Sequence, residues 1–146
     1  MTHADYFMLS ICLWREARGE GNTGQLAVAC VVRNRVKKNS SSYFEEIVKP
    51  WQFTSITGTG DPELTLFPNL KDQIWPQSQV ISQSVIDNKT DDITGGATLY
   101  YNPKGIKSNK TIKLTDGSIV PFPQTWDESK VEQTAVIGKH IFFIEK

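Results

Sequence analysis

Glu16 is the residue of this sequence whose surroundings best suit acid–base chemistry. It follows a nearly continuous apolar run over 6–14 and precedes a turn that contains Gly19 and Gly21. A carboxylate in this position is expected to lie partly desolvated at the edge of a cleft. Since desolvation penalises the charged form, its pKa would rise and make it a proton donor near neutral pH. The alternative is a solvated helix end in which Glu16 and its arginine neighbours form local ion pairs.

A second group of candidate residues runs from Trp51 to Ser55. Trp51 and Phe53 flank the amide of Gln52, and the hydroxyls of Thr54 and Ser55 follow directly. Sugars have apolar ring faces bordered by hydroxyls, so an aromatic ring and an amide together suit glycan binding. The same segment equally fits a pair of core aromatic side chains in a loop.

The composition indicates one globular domain over 1–146. Charged residues make up 22% and hydrophobic residues 38%, and 16 Lys plus Arg balance 16 Asp plus Glu. A net charge of zero supplies no attraction to nucleic acid or to an anionic membrane. No apolar stretch reaches the roughly 20 residues that cross a bilayer. We therefore expect a monomer that neither binds nucleic acid nor inserts into membranes.

The cysteines and histidines give little reason to expect a metal or cofactor. Cys12 and Cys30 lie in apolar helical runs, which favours buried free thiols, although they could pair if their helices pack side by side. Either thiol could be a nucleophile with His140, but apolar burial raises a thiol's pKa and argues against a peptidase. His140 has no Cys or carboxylate at ligand spacing, so we expect a hydrogen-bonded strand histidine and no metal. No cofactor-binding motif occurs.

The hydrophobic pattern predicts an α+β fold, with a helical N-terminal half and a small antiparallel β region in the C-terminal half. Helices are expected over 4–18, 24–38, 43–48 and 77–89. Thr23 is expected to cap the second helix, and Val80 is expected to face inward in the last, which starts after Pro76. Strands are expected over 97–103, 111–114, 118–120, 131–137 and 140–144. Asp116-Gly117 and Gly138-Lys139 are each expected to be the turn of a hairpin. Neither half has a complete core alone, so the two halves are expected to form one domain.

Ordered blocks of the sequence resemble the SleB-type cell wall hydrolases, a family that includes the spore cortex-lytic enzymes. The blocks are 16–20, 24–29, 32–36, 51–54, 96–103, residue 126 and 137–143, which together span roughly 6–145. No block is specific by itself, but their common order is. The sequence departs from the family at Thr54, where a serine is usual, although Ser55 is adjacent.

The resemblance implies a lysozyme-like fold and a peptidoglycan-cleaving enzyme of the lytic transglycosylase kind. Glu16 would be its single essential carboxylate, acting as acid and then as base to leave a 1,6-anhydro end. Most glycosidases use two carboxylates, but Glu20, Asp61 and Glu63 have no motif around them. The residues expected to bind the glycan or orient Glu16 are Gln52, Phe53, Thr54, Ser55, Tyr100, Tyr101, Asn102, Trp126 and His140.

A binding module is the alternative to an enzyme. A peptidoglycan-binding or virion structural module could keep the cleft and lose turnover, and the departure at Thr54 is the one feature that favours it. The N-terminus lacks the basic start of a signal peptide, and Asp5 stands just ahead of the apolar run. We therefore expect a protein made in the cytoplasm that reaches the wall after release, as a phage endolysin or a virion-associated lysin.

Overall fold

A computed structural model describes residues 2–50, 52–69 and 71–146. The helices are α1 His3–Ala17, α2 Gly21–Asn39, α3 Tyr43–Ile47, α4 Thr54–Thr57 and α5 Ile74–Ile86. The strands are β1 Leu99–Tyr101, β2 Thr111–Lys113, β3 Ile119–Pro121, β4 Val131–Ile137 and β5 His140–Glu145. The predicted α+β organisation, with helices first and antiparallel strands last, is confirmed.

The central helix, α1, carries the Glu16 segment. A capping box starts it: Thr2 Oγ1 accepts from the Asp5 backbone N–H, and the Asp5 carboxylate accepts from the Thr2 N–H at 3.1 Å. Its second half is buried among α2, α3 and α5, where Leu9 and Leu13 are inaccessible. Its first turns are more open, with Phe7 52% exposed. The helix therefore leads from the surface, through the core, to the turn after Ala17.

The start of α2 differs from the prediction. It begins at Gly21, whose φ of +73° lies in the left-handed region that only glycine adopts without strain. A short 3₁₀ turn, Arg18–Glu20, separates it from α1. Thr23 consequently lies inside the first turn of α2 and does not cap it. The connection between α1 and α2 is therefore shorter than the sequence pattern predicts.

The last helix, α5, also begins earlier than predicted. Pro76 lies within its first turn, where a missing N–H removes no intrahelical hydrogen bond. The expectation that Val80 faces inward is wrong, since it is 64% exposed. Ser78 and Ser82 are fully buried instead, and their small side chains allow α5 to pack closely against its neighbours.

The three-stranded sheet has the order β1-β5-β4, and β2 and β3 form a separate hairpin. Both predicted hairpins, β2–β3 and β4–β5, are confirmed. Tyr100 pairs with Phe142, and both rings face α2 and the helical core. Tyr101 and Phe143 point the other way, into a second cluster that the β2–β3 hairpin covers. Because successive strand residues alternate between faces, the sheet has a helix side and a hairpin side.

Candidate active site

Glu16 lies partly buried at the end of α1, in contact with Ser55. Ser55 Oγ donates a hydrogen bond of 2.7 Å to Glu16 Oε1. Burial raises the pKa of the Glu16 carboxyl, the charges of Asp61 and Glu63 act in the same direction, and the hydrogen bonds from Ser55 oppose them. Because burial has the largest effect, the proton stays on Glu16 to higher pH than on a solvated glutamate.

Arg15 fixes the segment that brings Ser55 to Glu16. Its guanidinium donates from Nη1 to the Ser55 carbonyl at 3.0 Å, from Nε to Leu66 at 3.2 Å and from Nη2 to Leu64 at 3.4 Å. It also lies 4.8 Å from the centroid of the Phe67 ring. A single side chain of α1 thus ties both ends of the loop 55–67 to the helix that carries Glu16.

A second arginine, Arg18, holds the middle of the same loop. It forms a bidentate pair with Glu63, with N–O distances of 2.7 and 2.8 Å. Its guanidinium lies 4.3 Å from the centroid of the Trp14 ring, and Trp14 Nε1 donates to Asp72 at 2.8 Å. The acidic residues of this loop are therefore engaged in holding it in place.

Glu16 lines a cleft of about 330 Å³ with Arg15, Arg18, Gly19, Glu20, Glu63 and Lys139. Glu20 is a further carboxylate of this cleft, besides Glu16 and Glu63, and no sequence motif surrounds it. Its side chain lies between two glycines: a Cβ on Gly24 would be 2.3 Å from Glu20 Cβ, and one on Gly138 would be 3.2 Å from Glu20 Oε2. The turn between β4 and β5 therefore closes against Glu20, and glycine at both positions makes room for it.

Tyr100 and His140 lie together on the helix side of the sheet. Their ring centroids are 5.0 Å apart in an edge-on arrangement, and the Tyr100 ring stacks on Phe142. Burial strongly raises the pKa of Tyr100, and the charge of Glu16 adds to this effect. Burial lowers the pKa of His140, against the opposing charge of Glu20. The fold thus brings Glu16, Ser55, Tyr100 and His140 to one region.

Three of the residues expected to bind glycan are placed elsewhere. Phe53 is 1% exposed in the helical core, with the Arg35 guanidinium 5.4 Å from its ring centroid. Tyr101 lies on the hairpin side of the sheet, 6% exposed, and its hydroxyl donates to the Pro121 carbonyl at 2.7 Å. Trp126 packs edge-on against Tyr101 in the same cluster. All three side chains pack in the cores, and their part in glycan binding stays a prediction.

The remaining predicted residues lie at the surface or outside the described ranges. Thr54 is exposed, and its hydroxyl donates to Asp61 at 2.8 Å, so Ser55 supplies the hydroxyl that reaches Glu16. Asn102 caps a 3₁₀ turn by accepting from the Lys104 N–H at 3.0 Å. Gln52 is exposed, and its role in binding stays a prediction. Trp51 belongs to the residues that the structure does not describe.

Within the described ranges, no three His, Cys, Asp or Glu side chains are arranged to hold a metal ion. Cys12 and Cys30 are both buried and unpaired, and burial raises the pKa of each thiol. In the same part of the chain, none of the helices combines the length and apolarity that crossing a membrane requires.

The sequence is similar to cell wall enzymes over most of its length. The sequence model of the Cell Wall Hydrolase family matches residues 19–143. Spore cortex-lytic enzymes of Halalkalibacterium halodurans and Oceanobacillus iheyensis are 29% and 30% identical to this sequence, and each match covers 94% of this chain. The matched regions make up 34% and 41% of those relatives, so the chain spans well under half of their length.

Two solved structures share the fold. The catalytic domain of the germination-specific lytic transglycosylase SleB from Bacillus anthracis has a TM-score of 0.67 and 28% identity, covering 97% of this chain and 95% of that one. The catalytic domain of the Bacillus cereus SleB protein has a TM-score of 0.65 and 28% identity, covering 97% and 90%. The chain therefore belongs to the cell wall hydrolase family, and it has the lysozyme-like α+β fold of the SleB type.

Proposed function

We propose that this chain cleaves peptidoglycan strands between N-acetylmuramic acid and N-acetylglucosamine as a lytic transglycosylase, with Glu16 as acid and then base. The observation that carries the proposal is the hydrogen bond of 2.7 Å from Ser55 to Glu16 in a cleft whose burial raises the Glu16 pKa. The names of the similar structures, SleB catalytic domains, favour the same reaction. We treat residues 1–146 as one catalytic unit.

In the first step, protonated Glu16 gives its proton to the oxygen that links the two sugars. The bond from that oxygen to C1 of the muramic acid breaks, and positive charge develops at C1. The raised pKa of Glu16 suits this step, because a solvated glutamate would have lost its proton near neutral pH. Glu16 is now a carboxylate that faces the cation.

In the second step, ionised Glu16 removes the proton of the muramic acid 6-hydroxyl. The freed oxygen attacks C1 of the same sugar, which closes the 1,6-anhydro ring and returns the proton to Glu16 without consuming water. The hydroxyl of Ser55 stabilises the carboxylate between the steps. Burial thus favours the acid form and Ser55 favours the base form, so one residue serves both steps.

The environments of Glu63 and Asp61 favour a mechanism with a single catalytic glutamate. Glu63 is paired with Arg18, and Asp61 accepts from Thr54 and caps the turn that follows it. Glu20 forms no ion pair within the described ranges and lines the cleft beside Glu16. If the reaction were a hydrolysis, Glu20 would be the first residue to test as the second carboxylate.

Digestion of purified peptidoglycan sacculi tests the proposal. Soluble products of the wild-type protein and of Glu16→Gln are compared by mass spectrometry. We expect 1,6-anhydro products, lighter by one water than reducing ends, from wild type alone. Reducing ends would replace this mechanism by hydrolysis. Sacculi that bind the protein without release of fragments would instead favour the inactive binding module, and delivery as an endolysin or virion-associated lysin stays a prediction.

A further inference from the structure

A second cavity shares one lining residue with the Glu16 cleft, Lys139, in the turn that joins β4 to β5. Its volume is about 290 Å³. Asn102, one of the residues expected at the glycan site, lies at this second cavity and not at the first. The turn between β4 and β5 therefore borders both the cleft and the second cavity.

The floor of the second cavity is apolar. Leu114 and Val120 reach it from the β2–β3 hairpin, and Val136 and Ile141 reach it from β4 and β5. Val136 is 56% exposed, which leaves a branched aliphatic side chain open to solvent on a small sheet. An open apolar floor of this size suits one or two small apolar groups of a ligand.

The rim of the same cavity is positively charged. Lys104 and Lys139 are exposed, and none of the described lining residues is acidic. Neither lysine forms an ion pair with any residue of the described ranges. Lys139 also lines the Glu16 cleft, which contains carboxylates, whereas Lys104 lines the second cavity alone. Lys104 is therefore the ammonium group that this cavity offers to a ligand carboxylate.

We propose that this cavity binds the peptide stem that peptidoglycan carries on the lactyl group of N-acetylmuramic acid. The proposal rests on the proposed function, because the stem is attached to the sugar that Glu16 would attack. The stem is short and combines alanine methyl groups with free carboxylates, which match the apolar floor and the ammonium group of Lys104. The protein would then prefer strands that carry peptides over strands that have lost them.

The preference can be measured with matched substrates. Glycan strands with intact stems are compared with the same strands after an amidase has removed the stems. We expect kcat/KM to be about tenfold higher on the peptide-bearing strands, the effect of burying one or two methyl groups and pairing one exposed carboxylate. Equal values on the two substrates would overturn the proposal while leaving the proposed function standing.

A second experiment reverses the charge of Lys104 at the rim of the cavity. Lys104→Glu should lower the ratio of kcat/KM between peptide-bearing and stripped strands roughly fivefold, because attraction of the stem carboxylate becomes repulsion. Lys107→Glu is the matched control, because it changes the net charge by the same amount and Lys107 lines neither cavity. The ratio of kcat/KM between peptide-bearing and stripped strands should be the same in this variant as in wild type. An equal loss on both substrates in Lys104→Glu would contradict peptide binding.

A binding experiment separates this proposal from the proposed function. Glu16→Gln is titrated with a disaccharide that carries its stem and with the same disaccharide without it, and binding is followed by calorimetry. We expect tighter binding of the first, and a loss of that advantage in the double variant with Lys104→Glu. This result is informative even if sacculi are never cleaved, and equal binding of the two ligands would refute the inference.

Discussion

Replacement of Ser55 by alanine removes the hydroxyl that donates a hydrogen bond to Glu16, and the effect of this change follows from the geometry. The bond is 2.7 Å long, and Ser55 is 3% exposed, so water cannot easily replace it. A hydrogen bond to a charged group is worth about 1.5–3 kcal/mol. If the bond is used fully in the transition state, kcat should fall roughly 10- to 100-fold, since about 1.4 kcal/mol corresponds to tenfold in rate.

The pH profile of Ser55→Ala distinguishes this role from a general loss of activity. The hydrogen bond lowers the pKa of Glu16 by favouring its charged form, so its removal raises that pKa further. In kcat/KM the alkaline limb reports loss of the proton from Glu16, and it should therefore move to higher pH in the variant. The assay is release of soluble muropeptides from sacculi across a pH series.

The matched control is Thr57→Val, which removes another hydroxyl from the same helical turn, α4. Thr57 is exposed, and its hydroxyl donates to the Phe53 carbonyl at 3.3 Å, away from Glu16. We expect its activity and pH profile to match wild type. If Ser55→Ala kept the wild-type kcat and the wild-type alkaline limb, the argument that Ser55 tunes Glu16 would be refuted.

Three further predictions concern stability. The fold raises the pKa of Glu16 above its ordinary value of 4.5, so wild type should lose stability as pH rises from 4.5 through the folded pKa. Thermal melts should show Glu16→Gln more stable at neutral pH and equal to wild type at pH values below that window; a constant difference at every pH would contradict the assignment. Gly138→Ala should lower the free energy of unfolding by about 1 kcal/mol in urea, because Gly138 has a φ of +57°, and an unchanged midpoint would argue against this turn geometry. Arg18→Gln should cost about 1 kcal/mol, since its pair with Glu63 is partly exposed, and it should speed proteolysis within 56–66; unchanged cleavage there would mean that Arg15 alone holds the loop.

Local signals account for the parts of the fold that the sequence predicted well. The apolar run before Glu16 and the Asp116-Gly117 turn each depend on residues close together in the chain. Such signals predicted both hairpins and placed Glu16 in the last turn of α1. The predicted starts of α2 and α5 were less accurate. Gly21, with its positive φ, begins α2, and Pro76 lies in the first turn of α5, so neither residue marks a break before the helix.

Long-range packing decided the rest of the site. Ser55 is 39 residues from Glu16, and only the tertiary structure shows that Ser55, and not Thr54, makes that contact. Tyr100 and Tyr101 are adjacent in sequence and equally plausible as glycan ligands, yet the alternation of β1 sends one to the helix side and the other into the hairpin core.

The sequence by itself determined the family, the order of helices and strands, and a glutamate at the end of a buried helix. Those properties follow from residue types and their spacing along the chain. Only the tertiary structure decided that Phe53 and Trp126 belong to the cores. It also decided that Glu20 lies in the same cleft as Glu16, and that Lys139 lines both this cleft and a second cavity. Each of these depends on which surfaces of distant elements meet, and burial of apolar area across the whole chain, rather than any local motif, selects that arrangement.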